Sequence, residues 1–391
     1  MDIKTKKYDF LIVGAGFSGC VLAERLANEL GKSVLILEAR NHIGGNCFDF
    51  YDKYGVLIHK YGPHLFHTKM RKVWDYLSRF TEWINYEHRV LAEIDSKRVP
   101  IPFNFDSIES LFPEGKAKII IEKLLKKYGE GTKVPILKLL EQNDRDLKEL
   151  ADFVYQKVFL GYNLKQWGMR PEDLDPSVSG RVPVLCGRDD RYFQDQFQAM
   201  PKQGYTFLFE KMLDNKNIDV LLKSEYKDIL NKINYNNLIY TGAIDSFFDF
   251  KFGKLPYRSL EFDFVNFKQK FYQECTQINF PNEHNYTRTT EFKHATAQKK
   301  PSTTVAFEYP KAFELGINDP YYPIPSDINH ALFEKYNQEA KKLSQEQNIY
   351  FTGRLAMYKY FNMDETIGVA LSLFNKIAEK EREKKEEKNV K

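Results

Sequence analysis

Three glycines, Gly14, Gly16 and Gly19, close a short apolar run, and Glu38 follows 19 residues after the last of them. Glycines at this spacing suit a loop that lies against a phosphate ester. Gly14 permits a tight turn, Gly16 removes the side chain that would hold an anion off, and Gly19 lets a helix pack closely on a strand. A helix opening at that turn presents free amides and a positive dipole end to a diphosphate. A carboxylate ending the next strand, Glu38, accepts hydrogen bonds from an adenosine ribose, which favours FAD or NAD over NADP. Such glycine triplets also occur in turns that hold no ligand, so the flanking strand and helix carry the dinucleotide reading.

Further along, Arg40-Asn41-His42-Ile43-Gly44-Gly45-Asn46 resembles the Arg-x3-Gly-Gly element of flavoproteins related to glutathione reductase and amine oxidases, which selects FAD. A different chemistry sits in GYNLKQWGMRP, residues 161–171, where Tyr162, Trp167, two amides and two cations lie between a glycine and a proline. Aromatic rings of this kind suit a nucleobase. Cys20, Cys47, Cys186 and Cys275 lie far apart without a CxxC pair, which points to reduced thiols in a cytosolic protein, and no metal site is expected.

These residues need elements to position them. YDFLIV at 8–13, the glycine turn and the spacing of Val21, Leu22, Arg25 and Leu26 predict strand, turn and helix, and Ser33–Leu37 predicts the next parallel strand. Met70, Val73, Trp74, Leu77 and Phe80 recur at helical spacing, as do Leu147, Leu150, Ala151, Val154 and Val158. The second of these helices is expected to stop at Gly161 in a left-handed cap. Leu260, Phe262 and Phe264 alternate with Glu261 and Asp263, and TQINF at 276–280 and TTVAFEY at 303–309 extend an antiparallel pattern. LIYTG at 238–242 and IYFTG at 349–353 read as late strands returning to the first domain.

The expected fold is α/β: a discontinuous Rossmann-like FAD-binding domain (1–80, about 196–245 and 336–391), with a helical insertion at 103–195. An antiparallel β-sheet substrate domain occupies 81–102 and 246–335. A chain of 391 residues, 42% hydrophobic, buries a core large enough for this. The net charge of +4 comes from 58 basic and 54 acidic residues spread along the chain, which argues against nucleic acid as a partner. FLIVGAGFSGCVLA is too short and glycine-rich to span a bilayer, and MDIKTKKYDF lacks the apolar centre of a signal peptide. A cytoplasmic protein with no membrane span is expected.

Segments over nearly the whole chain resemble the UDP-galactopyranose mutase family: EARNHIGGN (38–46), HKYGPHLFHT (59–68), GYNLKQWG, FQAMPKQGY (197–205), YTR (286–288), YYP (321–323) and GRLAMYKYFNMD (353–364). The resemblance implies an FAD isomerase of cell-surface polysaccharide biosynthesis, active with reduced flavin and served by NAD(P)H or another external reductant. Its substrate is a nucleotide-diphosphate sugar whose pyranose and furanose forms it interconverts. In this family flavin N5 attacks the anomeric carbon and displaces the diphosphate, and the sugar ring opens to an iminium and recloses through another hydroxyl, with no net redox change. The oligomeric state is left open by the sequence, with a homodimer among the alternatives.

Carried over by motif, Arg181 in SGRVP, Arg288 and His64 are the implied catalytic residues. Planar guanidinium forks suit a leaving diphosphate. Phe159, Tyr162, Trp167, Tyr192, Arg258, Asn279, Tyr321, Tyr322, Arg354, Tyr360 and Asn362 are implied substrate contacts, with Tyr162 and Trp167 beside uracil and either Tyr321 or Tyr322 toward the ligand. The cofactor set is Gly14, Gly16, Phe17, Ser18, Gly19, Glu38, Ala39, Arg40, Gly44, Gly45, Asn46, His64, Leu65, Gly353, Arg354, Asn362, Met363, Asp364 and Thr366. PEDLDPSVSGRVP, residues 171–183, is expected to close as a lid carrying Arg181.

Two positions depart from the family pattern: Asn362 stands where an aspartate is expected and Asn163 where threonine is common. UDP-N-acetylgalactosamine and dTDP-fucose are therefore alternatives to UDP-galactose. An amine-oxidase-like oxidoreductase and a non-catalytic nucleotide-sugar or flavin binding module are the competing classes; the arginine-bearing motifs argue against the first, because an amine site prefers an aromatic cage.

Overall fold

The computed structural model describes residues 6–175 and 182–389. Its first layer is a five-stranded, wholly parallel sheet in the order Ile218–Leu221, Val34–Leu37, Lys7–Val13, Asn234–Tyr240, Ile349–Phe351. Val34–Leu37 is buried along its whole length, as a strand covered on both faces must be. On one face Phe10, Ile12, Val34, Ile36 and Ile239 pack with helix Phe17–Leu30 and with Ile367, Ala370, Leu371 and Phe374 of helix Met363–Asn389. On the other, Tyr8, Leu11, Leu35, Leu37 and Leu238 meet Ile233 and Tyr226. Three stretches far apart in sequence thus build one parallel layer from five strands, and strand Ile218–Leu221 adds an edge that the periodicity did not suggest.

The second sheet has seven strands: Tyr322–Pro323, Tyr257–Phe267, Thr303–Ala312, Arg288–Glu291, Gln277–Asn279, Val90–Ile94 and Lys97–Ile101. Its pairs are antiparallel except Gln277–Asn279 on Val90–Ile94, which run parallel. Helices between Phe105 and Trp167 pack on the 90–101 hairpin through Ile108, Ile120, Leu124, Leu150 and Val154. Among the described residues no helix is long and apolar enough to cross a membrane.

One local expectation is overturned. Gly161 is not a left-handed cap: its φ of −62° and ψ of −41° are helical. Helix Arg145–Val154 continues through a wide π turn at Tyr155–Leu160 into helix Gly161–Trp167, and the left-handed cap comes at Gly168, with φ of 69°. Gly161 is small for another reason: a Cβ there would lie 2.5 Å from the Pro281 carbonyl oxygen. Packing of one element against another, which the sequence pattern does not carry, fixed that glycine. The π turn widens the helix where Phe159 and Tyr162 must face a cavity, a common use of such turns.

Candidate functional site

Three neighbouring cavities share wall residues in series. The first, about 340 Å³, is the dinucleotide cleft at the carboxyl ends of the parallel strands; it is lined by Gly14, Gly16, Phe17, Ser18, Glu38, Ala39, Arg40, Gly44, Gly45, Asn46, His64, Tyr321, Gly353, Arg354, Met363 and Thr366. Helix Phe17–Leu30 starts at Gly16, whose missing side chain leaves the first-turn amides without a side-chain cap. Gly44 N–H donates to the Ala15 carbonyl at 2.8 Å, and a Cβ on Gly45 would fall 2.9 Å from the Gly16 Cα. The two glycine elements therefore touch backbone to backbone. Glu38 accepts from the Ala15 and Arg40 amides at 2.8 and 3.0 Å, using two of its four lone-pair directions on the loop. This uncapped helix end, glycine floor and acidic residue fit the pyrophosphate and ribose of a dinucleotide. Arg40 stacks 4.2 Å over Tyr61 and pairs with Asp319 at 3.2 Å across the mouth.

The second cavity, about 360 Å³, shares His64, Arg354 and Met363 with the cleft and Tyr192, Arg288, Tyr322 and Tyr360 with the third; Leu65 and Asn362 also line it. His64 Nδ1 lies 2.9 Å from the Gly62 carbonyl, so it carries the proton and Nε2 is an acceptor. Burial, reinforced by His59 nearby, pushes His64 down to about 3, and the ring is neutral at physiological pH. His59 holds it in place by accepting the His64 amide at 3.0 Å.

Arg288, on the strand bordering this cavity, pairs with Glu308 on the next strand at 2.7 Å. Burial opposes charge on both. For Arg288 the facing carboxylate overcomes that cost and holds the guanidinium charged; for Glu308 burial wins and its carboxyl is pushed up, with Arg288 pulling the other way. Glu308 Oε1 is buried and finds no partner among the described residues.

The third cavity, about 140 Å³, is an aromatic chamber lined by Phe159, Tyr162, Asn163, Trp167, Tyr192, Asn279, Arg288, Tyr322 and Tyr360. Trp167 packs edge-on to Tyr360 at 5.6 Å and tilts against Tyr322 at 6.0 Å. Asn163 donates back to the Phe159 carbonyl at 2.8 Å, which stabilises the widened helix.

The polar residues of GYNLKQWG form a junction. Lys165 Nζ donates to the carbonyls of Phe280 and His284 at 2.6 and 2.8 Å, tying helix Gly161–Trp167 to the loop that leads to Arg288. Burial pushes Lys165 down. Lys165→Met should leave these carbonyls unpaired and cost about 1–3 kcal/mol of stability, measured by urea unfolding.

The structure separates other expected site residues from the cavities. Arg258 donates to the Gln166 and Lys165 carbonyls at 2.8 and 3.1 Å, closing the end of helix Gly161–Trp167, and does not line any of the three. Gly19 is required for packing, because a Cβ there would sit 2.0 Å from the Gly14 oxygen, and it does not line the cleft. Asp364 accepts from the Glu365 amide at 2.8 Å in the first turn of its helix. The tyrosines of YYP divide: Tyr322 faces the aromatic and central cavities, Tyr321 the dinucleotide cleft. Arg181 and the centre of the expected lid lie outside the described residues; before them, the Asp175 amide donates to the Pro325 carbonyl at 3.4 Å.

Sequence reasoning missed His67, His88, Lys133, Phe193, Gln194, Asp195 and Gln277 of the central cavity, and Ser224, Glu225 and Tyr226 of the cleft. His67 stood within a motif already singled out, but Asp195, its partner 128 residues away, carried no local signal.

Residues 157–360 match the family described as UDP-galactopyranose mutase, and residues 12–80 match a NAD(P)-binding Rossmann-like domain. The chain is 38% identical over 384 residues to UDP-galactopyranose mutase of Mycoplasma genitalium, covering 93% of each chain. It is 35% identical over 371 residues to dTDP-fucopyranose mutase of Escherichia coli, covering 92% of this chain and 96% of that one. Among solved structures, reduced UDP-galactopyranose mutase superposes with a TM-score of 0.69 at 16% identity, over 95% of this chain and 94% of that one. Putrescine oxidase bound to putrescine shares the fold with a TM-score of 0.57 at 12% identity, over 95% and 99% of the two chains.

Proposed function

The chain belongs to the UDP-galactopyranose mutase family of flavin-dependent isomerases, and we propose from this premise that it binds FAD and interconverts UDP-galactopyranose and UDP-galactofuranose. The observation that carries the reading is the shared walls of the three cavities, with Arg288 and Tyr322 between the aromatic chamber and the central space, and His64 and Arg354 between that space and the dinucleotide cleft. Held by the Gly14–Gly19 and Gly44–Gly45 elements, a bound flavin kept reduced by NAD(P)H or another external reductant would supply a nucleophilic N5 for the anomeric carbon.

The chain supplies binding, orientation and charge. The turn at Gly14–Gly19 and the Gly44–Gly45 element hold the pyrophosphate, and Glu38 holds the adenosine ribose. Tyr162 and Trp167 grip the uracil, a contact of about 1–3 kcal/mol per stacked base. Arg288, kept charged by Glu308, faces the diphosphate and stabilises the negative charge it gains on leaving. Arg181, by its motif, is the second cation, and Arg354, Tyr192, Tyr322 and Tyr360 complete the diphosphate and sugar contacts. His64, neutral with Nε2 an acceptor, matches an N–H donor on the cofactor face.

The test is to incubate the yellow protein, with and without dithionite, with UDP- and dTDP-linked pyranoses and furanoses and to separate the products. Conversion of UDP-galactofuranose only after reduction is expected. Faster turnover of a dTDP-fucose or UDP-N-acetylgalactosamine would reassign the sugar, for which Asn362 on the central cavity wall gives a reason. Turnover by the oxidised protein alone would sink the reading, and peroxide release in step with substrate would place the chain with the oxidases whose fold it shares.

A further inference from the structure

One ordered pair in the central cavity has no part in the account above. His67 and Asp195 both line it, and Nδ1 of His67 lies 2.6 Å from Oδ2 of Asp195. The imidazole also stacks on Phe193, with centroids 3.5 Å apart and planes 14° from parallel, so its orientation is fixed twice. Strand Phe66–Thr68 carries His67, and Asp195 precedes the paired strand Phe197–Pro201. With Nδ1–H donated to the carboxylate, Nε2 is left to accept and release a proton. A base oriented by a third group in this way is the usual arrangement of a proton-transfer histidine.

Resting on the mutase reading, the sugar chemistry moves a proton that such a group can carry. In the pyranose, C1 is bonded to O5 and O4 carries a proton; in the furanose, C1 is bonded to O4 and O5 carries it. When the C1–O5 bond breaks, its electron pair leaves with O5, which must take a proton. When an O4 lone pair then forms the C1–O4 bond, O4 must lose one. One proton therefore moves from O4 to O5 in each turnover, and none is gained or lost overall. The sugar carbon must lie between the diphosphate contacts and the cofactor, which is the cavity bounded by Arg288, Tyr322 and Tyr360 on one side and His64, Arg354 and Met363 on the other.

We propose that His67, oriented by Asp195, carries this proton between the two ring-forming oxygens of the sugar. The other imidazoles in the cavity suit the task less. Burial pushes His64 and His88 down to about 3, and the Nδ1 partner of His64 is the neutral Gly62 carbonyl, which stabilises an imidazolium less than a carboxylate does. Arg288, held charged beside Glu308, does not release a proton at physiological pH. Asp195 also has Lys69 Nζ 3.7 Å from its other oxygen, so the pair keeps an ion partner while the imidazole changes charge.

The experiment separates the two halves of the reaction. UDP-galactopyranose carrying 18O at the bridge between C1 and the diphosphate is given to reduced wild type, His67→Gln and Asp195→Asn. Scrambling of the label reads C1–O cleavage and re-formation, which needs no ring opening, and furanose appearance reads the proton step. Wild type should do both. His67→Gln should scramble within about twofold of wild type, bind UDP with unchanged affinity, and form furanose about 10²-fold more slowly; Asp195→Asn should follow with a smaller loss. Undiminished furanose formation by His67→Gln, or equal loss of scrambling and isomerisation in both variants, overturns the proposal. A wild type that scrambles no label overturns the mutase chemistry itself, and with it this step.

Discussion

Arg288→Ala is expected to lower kcat/KM about 10³-fold, the effect of losing a fixed donor aimed at developing charge, and also to destabilise the protein by about 3–5 kcal/mol because Glu308 is left buried and unpaired. The two losses have different origins and can be separated. Arg288→Ala with Glu308→Gln removes the stranded charge, so urea unfolding should show most of the stability restored while turnover stays at the single-variant level. Recovery of turnover along with stability would mean that Arg288 serves the fold and not the diphosphate.

The pH dependence has a definite sign. Burial already raises the Glu308 carboxyl, and Arg288 opposes that rise. Without the arginine the carboxyl rises further. A raised carboxyl contributes its stability fully below its unfolded pKa of about 4.3 and loses it as pH climbs through the folded value. The deficit of Arg288→Ala relative to wild type should therefore be smaller at pH 5 than at pH 8. A deficit independent of pH would show that the stranded carboxylate is not its cause.

The second large effect lies in the glycine loop, where the same substitution at two positions should fail in opposite ways. At Gly19 an added Cβ would lie 2.0 Å from the Gly14 carbonyl oxygen and 3.2 Å from the Ile12 side chain. Neither the backbone oxygen nor the strand beneath it can retreat, so Gly19→Ala should cost about 3 kcal/mol or more by overpacking and yield little folded protein with or without flavin. At Gly16 an added Cβ meets nothing closer than the Gly45 Cα at 3.8 Å, and the backbone is in an ordinary extended conformation. Gly16→Ala should fold, melting without flavin close to the wild-type apoprotein. Its methyl stands where the pyrophosphate would approach the helix amides. Loss of two such charge-assisted hydrogen bonds, about 1.5–3 kcal/mol each, should weaken FAD binding about 10²-fold or more, read by flavin fluorescence. A colourless, folded Gly16→Ala beside an unfolded Gly19→Ala is the expected result; equal flavin affinity in Gly16→Ala and wild type would remove Gly16 from the cofactor site.

Much of this protein was legible from local pattern. The strand, turn and helix at 8–30 and the acidic residue ending the second strand follow from period and glycine spacing, because backbone sterics and burial on both faces leave few other solutions. The alternation at 260–264 and the helix from Arg145 were equally visible. Matches of GYNLKQWG, YTR and YYP to a family pattern pointed to Tyr162, Trp167, Arg288 and Tyr322, and all four line the neighbouring cavities.

Contacts between distant segments had no such signal. The small side chain at Gly161 was assigned to a helix end, but the approach of the Pro281 carbonyl accounts for it, and the helix runs on. Arg258, expected at the substrate from its motif, has its guanidinium on the carbonyls of residues 165 and 166. Glu308 holds Arg288, and Asp195 orients His67 across 128 residues. The amino-acid sequence by itself determined which elements form and which motifs could bind a dinucleotide and a nucleobase, since those depend on neighbours three or four residues away. Only the tertiary structure decided which charges are paired and which groups face one space, because a buried ion pair or an oriented imidazole is made by chain folding that brings remote residues within a few ångströms.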